Sequence, residues 1–222
     1  MIASANEERT CTDAGRHRKE TTMATEFHTV MFVSRHKDNE EQGIENFRPR
    51  YEQHVAKLEV ESLDTLAATA RDKFGAMFDR FVSEGVDGET SRMYVTLNGA
   101  DSDRCLKELA IAVLQDKIAD VTKVNATLVS IVARPEMAAT KRWLFDADCD
   151  IETARIFADR VDERLAARYG ADSPNAKCSI LRSKNNFAIV TNARFDARGI
   201  LDGFPDIELK REASLFCEAR TK

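Results

Sequence analysis

Between Trp143 and Gly170 the hydrophobic period of the chain switches from two to about 3.6 within a few residues. The stretch "RWLFDA" alternates as a strand does. The stretch "IETARIFADRVDERLAARYG" places Ile151, Ala154, Phe157, Ala158, Val161 and Leu165 at steps of three and four, with Gly170 as its stop. A strand feeding an amphipathic helix must bury one face against that helix. This excludes an all-helical or all-strand chain. Downstream, "KCSILRS" reads as a strand, "NN" as a turn that tolerates positive φ, and "FAIVTN" as the hairpin partner. "FDARGIL" is expected to form a short helix ended near Gly203, and "DIELKR" and "SLFCEA" two more strands. The order is β-α-β-β-α-β plus one strand, the split-βαβ, ferredoxin-like arrangement shared by RNA-recognition-motif (RRM) domains.

Upstream, "FHTVMFVS" is rich in β-branched and apolar residues and reads as a strand. "RHKDNEEQGIENFRPR" is a polar loop. Its Arg35, Lys37, Arg48 and Arg50 read as solvated charges, with phosphate contact as the alternative. Leu63, Leu66, Ala70, Phe74, Met77, Phe78 and Phe81 then share one helical face behind an N-cap at Ser62, and this stripe is core. "SRMYVTLNG" buries Met93, Val95 and Leu97 on one side of a strand. A second amphipathic helix, capped by Asp101 or Ser102, has Leu106, Leu109, Val113, Leu114 and Ile118 as its apolar face. "VNATLVSIVARPEM" fits either a helix or a strand, and Pro135 ends it. The expected class is α+β. Strands and two long helices over 26–135 precede an RRM-like unit over 136–222, behind a polar, disordered extension over 1–25. Met23 offers an alternative start.

The formal net charge of −5 argues against a generally basic nucleic-acid binder, though a local basic groove remains compatible with it. The cysteines at 11, 105, 149, 178 and 217 form no C-x-x-C pair, which points to reduced thiols in a cytoplasmic setting and away from structural zinc. No apolar run approaches the ~20 residues a membrane span needs. The phosphate loop G-x-x-x-x-G-K-[ST] and the nucleophile elbow G-x-S-x-G are both missing.

The chemistry concentrates in "LFDADCD". On a strand, Leu144, Asp146 and Asp148 point one way and Trp143, Phe145 and Ala147 the other. Carboxylates two residues apart lie about 7 Å apart along a strand, close enough to converge on a divalent ion such as Mg²⁺ or Mn²⁺. Without a cation, such close like charges raise a pKa. Asp150, just before the helix, is most simply its N-cap. Asp148 has a second reading as a turn residue bonded to amides.

A strand ending in hydrophobic-D-x-D, followed by a helix, a hairpin and a further strand, resembles the catalytic core of the archaeo-eukaryotic primase superfamily. The resemblance covers the last third of the chain. The stretch from "MFVSRHKDNEEQGIENF" onward is also similar to phage-encoded proteins of uncharacterised function. The primase resemblance implies that Asp146 and Asp148 hold metal and that Glu208, or next Asp206, completes the site. It also implies a histidine on the later hairpin. The chain's histidines are His17, His28, His36 and His54, so "SKNNFAIVTN" has none, and Arg182 or Lys184 is expected to meet phosphate instead. Lys141, Arg142, Arg194, Arg198, Lys210 and Arg211 complete a basic set for a triphosphate or template strand. Tyr94, Phe187 and Phe195 are the aromatics available for base stacking.

Two functions are therefore expected. One is a primase-like nucleotidyltransferase using Mg²⁺ or Mn²⁺, a nucleoside triphosphate and nucleic acid, with Asp146, Asp148 and Glu208 catalytic and Arg182, Lys184 and Lys210 on the nucleotide. The other is a non-catalytic viral accessory or binding protein, working with a protein partner. Convergence of Asp146, Asp148 and an acidic late-strand residue in one cleft favours the first; an Asp146 salt-bridged to Arg142 or Lys210, with no open cleft, favours the second.

Overall fold

A computed structural model describes residues 26–222, apart from 41–42, 45–46, 60–61, 116, 119, 184–185 and 212. The expected extension over 1–25 lies outside the described residues. The chain runs β1 (Glu26–Ser34), a one-turn helix α1 (His36–Asn39), β2 (Arg50–Leu58), α2 (Leu63–Ser83), β3 (Thr90–Thr96) and β4 (Ala100–Asp101). It continues through α3 (Ser102–Leu114), α4 (Val124–Val132), β5 (Trp143–Ala147) and α5 (Ile151–Tyr169). The hairpin β6 (Cys178–Arg182) and β7 (Phe187–Thr191) follows, then β8 (Ile207–Lys210) and β9 (Ser214–Thr221).

Among the described residues the fold is α+β, with two antiparallel sheets. The first has the order β2-β1-β3-β9, with β4 also paired to β1; the second has the order β6-β7-β5-β8. β9, counted above within the 136–222 unit, is hydrogen-bonded to β3 of the first sheet. β2 carried no strand signal in the sequence. Only its Ala56 and Leu58 are buried, so the alternation is too weak to show.

α2 starts where Ser62 donates its N–H to Thr65 Oγ1 at 3.2 Å. Its apolar stripe lies on the first sheet, where Leu66, Ala70 and Phe78 meet Val30, Phe32, Met93 and Val95 in one buried cluster. The Phe32 ring is 5.2 Å from Phe78 and 5.7 Å from Phe81. α5 covers the second sheet through Phe157, Val161 and Leu165 packed with Phe145 and Ala147. The opposite face of the second sheet contributes Leu144, Ala188 and Val190 to the first cluster. The face of β5 that bears Asp146 is thus turned toward the first sheet.

Two polar arrangements fix the first sheet. Arg50 donates to Glu89 Oε1 at 2.9 and 2.6 Å and to the Phe81 carbonyl at 2.8 Å, and its guanidinium lies 4.2 Å from the Phe81 ring centroid. Asn39, fully buried, donates to the carbonyls of Arg35 (2.8 Å) and Thr90 (3.1 Å) and accepts the Thr90 N–H at 2.6 Å. This pins α1 to the start of β3.

Two expectations fail. "FDARGIL" is not a helix. Phe195, Ile200 and Phe204 are buried as a helix would bury them, but Gly199 and Gly203 stand at φ 69° and 87° and turn the chain instead. The α3 face is amphipathic, yet it is largely uncovered: Leu106 is 49% exposed, Val113 50% and Leu114 83%. Of α3, only Ser102 and Cys105 are buried. The ambiguous segment forms α4, and its Ile131 and Val132 cluster with Cys105, Ala100 and Met137.

Candidate metal and phosphate cleft

Alternation along β5 does what the sequence implies. Phe145 and Ala147 enter the α5 core, and Leu144 enters the other. Asp146 and Asp148 therefore share the opposite face, and both line an open cleft of about 740 Å³ between the two sheets. Arg182 and Lys210 line it from the second sheet, and Arg35, Lys37, Asp38 and Arg92 from the first. Charge of both signs meets in one concavity.

Asp146 is half-buried, and burial pushes its carboxyl above the ordinary range. Asp148 and Glu208 push it further, while Lys210 opposes them. Glu208 sits directly opposite Asp146 in the β5–β8 register, so the two side chains leave the sheet on the same side. Glu208 is exposed, does not line the cleft, and is ion-paired with Lys210. Lys210 is thereby held beside Asp146 without being bonded to it. Asp148 donates its N–H to the Asp206 carbonyl at 2.9 Å, and its Oδ1 accepts from Asn186 Nδ2 at 2.5 Å. Asp150 is the N-cap, accepting from the Glu152 and Thr153 N–H groups at 2.9 Å each. Cys149 is a poor nucleophile: burial raises its thiol, and Asp150, Asp206 and Asp148 raise it further.

The basic set divides. Arg182 and Lys210 face the cleft; Lys184 lies outside the described residues. Arg142 donates to the Leu97 carbonyl, and its backbone is clamped by Asn98. Arg198 pairs with Asp196 at 2.5 Å, and Arg194 and Arg211 line a different cavity. Of the loop cations, Arg35 and Lys37 reach the cleft, whereas Arg50 serves the Glu89 pair. Tyr94 and Phe216 line the cleft with ring centroids 5.9 Å apart; Phe195 is core. Asp38, Arg92 and Asn186 carried no signal of their own. Asp38 accepts from Arg92 and from Arg35 Nε (3.1 Å), and Arg92 Nη1 reaches the Tyr94 hydroxyl at 3.2 Å. Arg92 and Tyr94 alternate with buried residues on β3, the pattern that marks a polar strand face.

No family model, curated protein or solved structure matches this chain. Among the described residues, no helix is long and apolar enough to cross a membrane, and no group of three or more His, Cys, Asp and Glu stands ready to hold a metal ion.

The cleft's like charges set a stability prediction. Asp146→Asn removes a carboxylate that faces Glu208 across the pair and neighbours Asp148. The expected gain at pH 7 is about 0.2–1 kcal/mol, the scale of such cross-strand repulsion. Because the folded carboxyl titrates above its unfolded value, wild-type stability from this group is greatest at low pH and falls as pH rises through the shifted value. The advantage of Asp146→Asn should therefore vanish in acid. Urea unfolding at pH 7 and pH 4 checks this; a variant less stable than wild type at pH 7 would refute it.

Proposed function

We propose that the protein is a divalent-metal-dependent nucleotidyltransferase of primase type, acting on a nucleoside triphosphate with a nucleic-acid acceptor. One observation carries the reading. A carboxylate pair at a strand end shares an open cleft with five cationic side chains, and Asp146 is bonded to neither Arg142 nor Lys210. Two carboxylates without a third ligand suit a hard cation such as Mg²⁺ or Mn²⁺, which commonly completes its shell with substrate phosphates. Asp146 and Asp148 would hold that cation, whose charge, once bound, would offset that of the triphosphate. Lys37 and Arg182 make no ion pair within the described residues and are available for phosphate oxygens. Tyr94 and Phe216 offer ring surface for a base. In the transfer, the acceptor hydroxyl oxygen bonds to the α-phosphorus, the bridging α–β P–O bond breaks, pyrophosphate leaves and the hydroxyl proton passes to water. We read the second sheet as the split-βαβ unit. β7 lies between β5 and β6, which α5 joins, and turns stand where a second helix would.

A second reading is a nucleotide-binding module that performs no transfer. It is favoured by the exposed, Lys210-paired position of Glu208 and by Asn186 engaging Asp148.

Calorimetric titration of Mn²⁺, with and without nucleoside triphosphate, into wild type and Asp146→Asn/Asp148→Asn tests both. Binding that triphosphate strengthens and the double variant loses by about a hundredfold or more is expected, two charged ligands being removed. A primer-extension assay then separates the readings. Product supports the transferase; binding without product supports the module; no Mn²⁺ binding by wild type overturns both.

A further inference from the structure

A second cavity, of about 300 Å³, lies against α4, β1 and β3. It meets the acidic cleft at Ala213 and Ser214, which line both. Its charged lining is one-sided. Among the described residues, its ionisable lining is Arg134, Arg194 and Arg211, with no carboxylate. In a chain with 38 acidic against 33 basic residues, that is not a sample of the average surface. Arg134 has a partial partner in Glu108 at 3.6 Å. The Arg194 and Arg211 side chains make no hydrogen bond or ion pair among the described residues. The rest of the lining is amphipathic. Met31, Val129 and Val132 supply apolar surface, and the Gln53 side chain makes no hydrogen bond among the described residues. An apolar floor under unneutralised guanidiniums suits a ring joined to an anion, and the volume suits one such unit.

We propose that this cavity binds one nucleoside monophosphate unit, with Arg194 and Arg211 on the phosphate and the base over Met31, Val129 and Val132. The unit is either a free mononucleotide or one residue of a single strand that crosses at Ser214 toward the acidic cleft. The strand version rests on the transferase reading. The binding itself does not, since neither arginine lines the acidic cleft.

The test uses adenosine monophosphate and a short oligothymidylate, titrated by fluorescence anisotropy or calorimetry into three proteins: wild type, Arg194→Gln/Arg211→Gln and Asp146→Asn/Asp148→Asn. Both arginines are exposed, and neither is paired among the described residues, so the variant should keep the wild-type circular dichroism and melting curve. Binding should weaken about tenfold or more in the arginine variant, two charge-assisted contacts being lost. The carboxylate variant should bind adenosine monophosphate as wild type does. Loss for adenosine monophosphate assigns a free-nucleotide pocket; loss for the oligonucleotide alone assigns a strand path. Equal affinity of wild type and arginine variant for both probes overturns the proposal, as does loss seen only in the carboxylate variant. Because Mn²⁺ is absent throughout, failure here leaves the metal titration of the acidic cleft to succeed or fail separately.

Discussion

Replacing Arg50 by Met lowers stability by roughly 3–5 kcal/mol, the usual cost of removing one partner of a buried ion pair. Glu89 is 3% exposed and relies on Arg50 for two contacts from its guanidinium. The Val86 N–H supplies a third contact at 3.0 Å, which cannot neutralise the charge. Arg50 also covers the Phe81 ring and caps its carbonyl. Burial pushes the Glu89 carboxyl up. The Val86 amide, the Arg50 guanidinium and the Ser34 hydroxyl together outweigh that and hold it below its ordinary value. The stability Glu89 contributes is therefore present above its unfolded pKa and lost as pH falls through the lowered folded one. Arg50→Met should flatten that acid limb. Arg50→Met/Glu89→Leu should recover part of the loss, because no charge is then left buried alone. Urea denaturation at pH 7 reads all three proteins. A single variant within about 1 kcal/mol of wild type would show the pair to be no more than a surface bridge.

Phe145→Ala should cost about 3–5 kcal/mol, the range for a large aromatic cut from a core. Phe145 is fully buried, with ring centroids 5.0 Å from Phe157 and 6.2 Å from Phe195. It is the next residue to Asp146 and points the opposite way, so it anchors the strand that carries the acids. Its loss should lower the denaturation midpoint and, on the metal reading proposed above, also weaken Mn²⁺ binding by the folded protein, since β5 gains freedom. A loss below about 1 kcal/mol would mean that Phe195 and Phe204 collapse into the space.

How much the sequence disclosed follows from where local pattern decided the outcome. α5, α2 and the β5 pleat were legible because one side of each is fully buried, and the caps at Ser62, Asp101 and Asp150 stand where short polar side chains precede apolar periods. β2 was not, because a strand with little burial has little alternation. The turns at Phe195–Phe204 were misread because apolar spacing outweighed two glycines that stand at positive φ. The α3 stripe was legible as a stripe, but periodicity does not say whether anything covers it. In the cleft, Asp146 and Asp148 were visible from their pleat, and Arg182, Lys210, Arg35 and Lys37 as candidate phosphate ligands. Arg92, Asp38 and Asn186 come from other elements, brought near by tertiary packing that no short window contains.

β9 makes the second sheet an insertion within the first. Everything from β5 to β8 lies, in chain order, between the paired strands β3 and β9. Thr90 and Thr221, whose hydroxyls meet at 3.0 Å, are 131 positions apart. During synthesis the outer edge of β3 stays open until the whole inserted sheet has been made, an exposed edge that invites wrong pairing. Closing so long a loop is slow, and it comes last. The walls of the acidic cleft are therefore brought together by the same late event that finishes the first sheet, and a chain released before β9 would present the acids on a cleft with one wall unfinished.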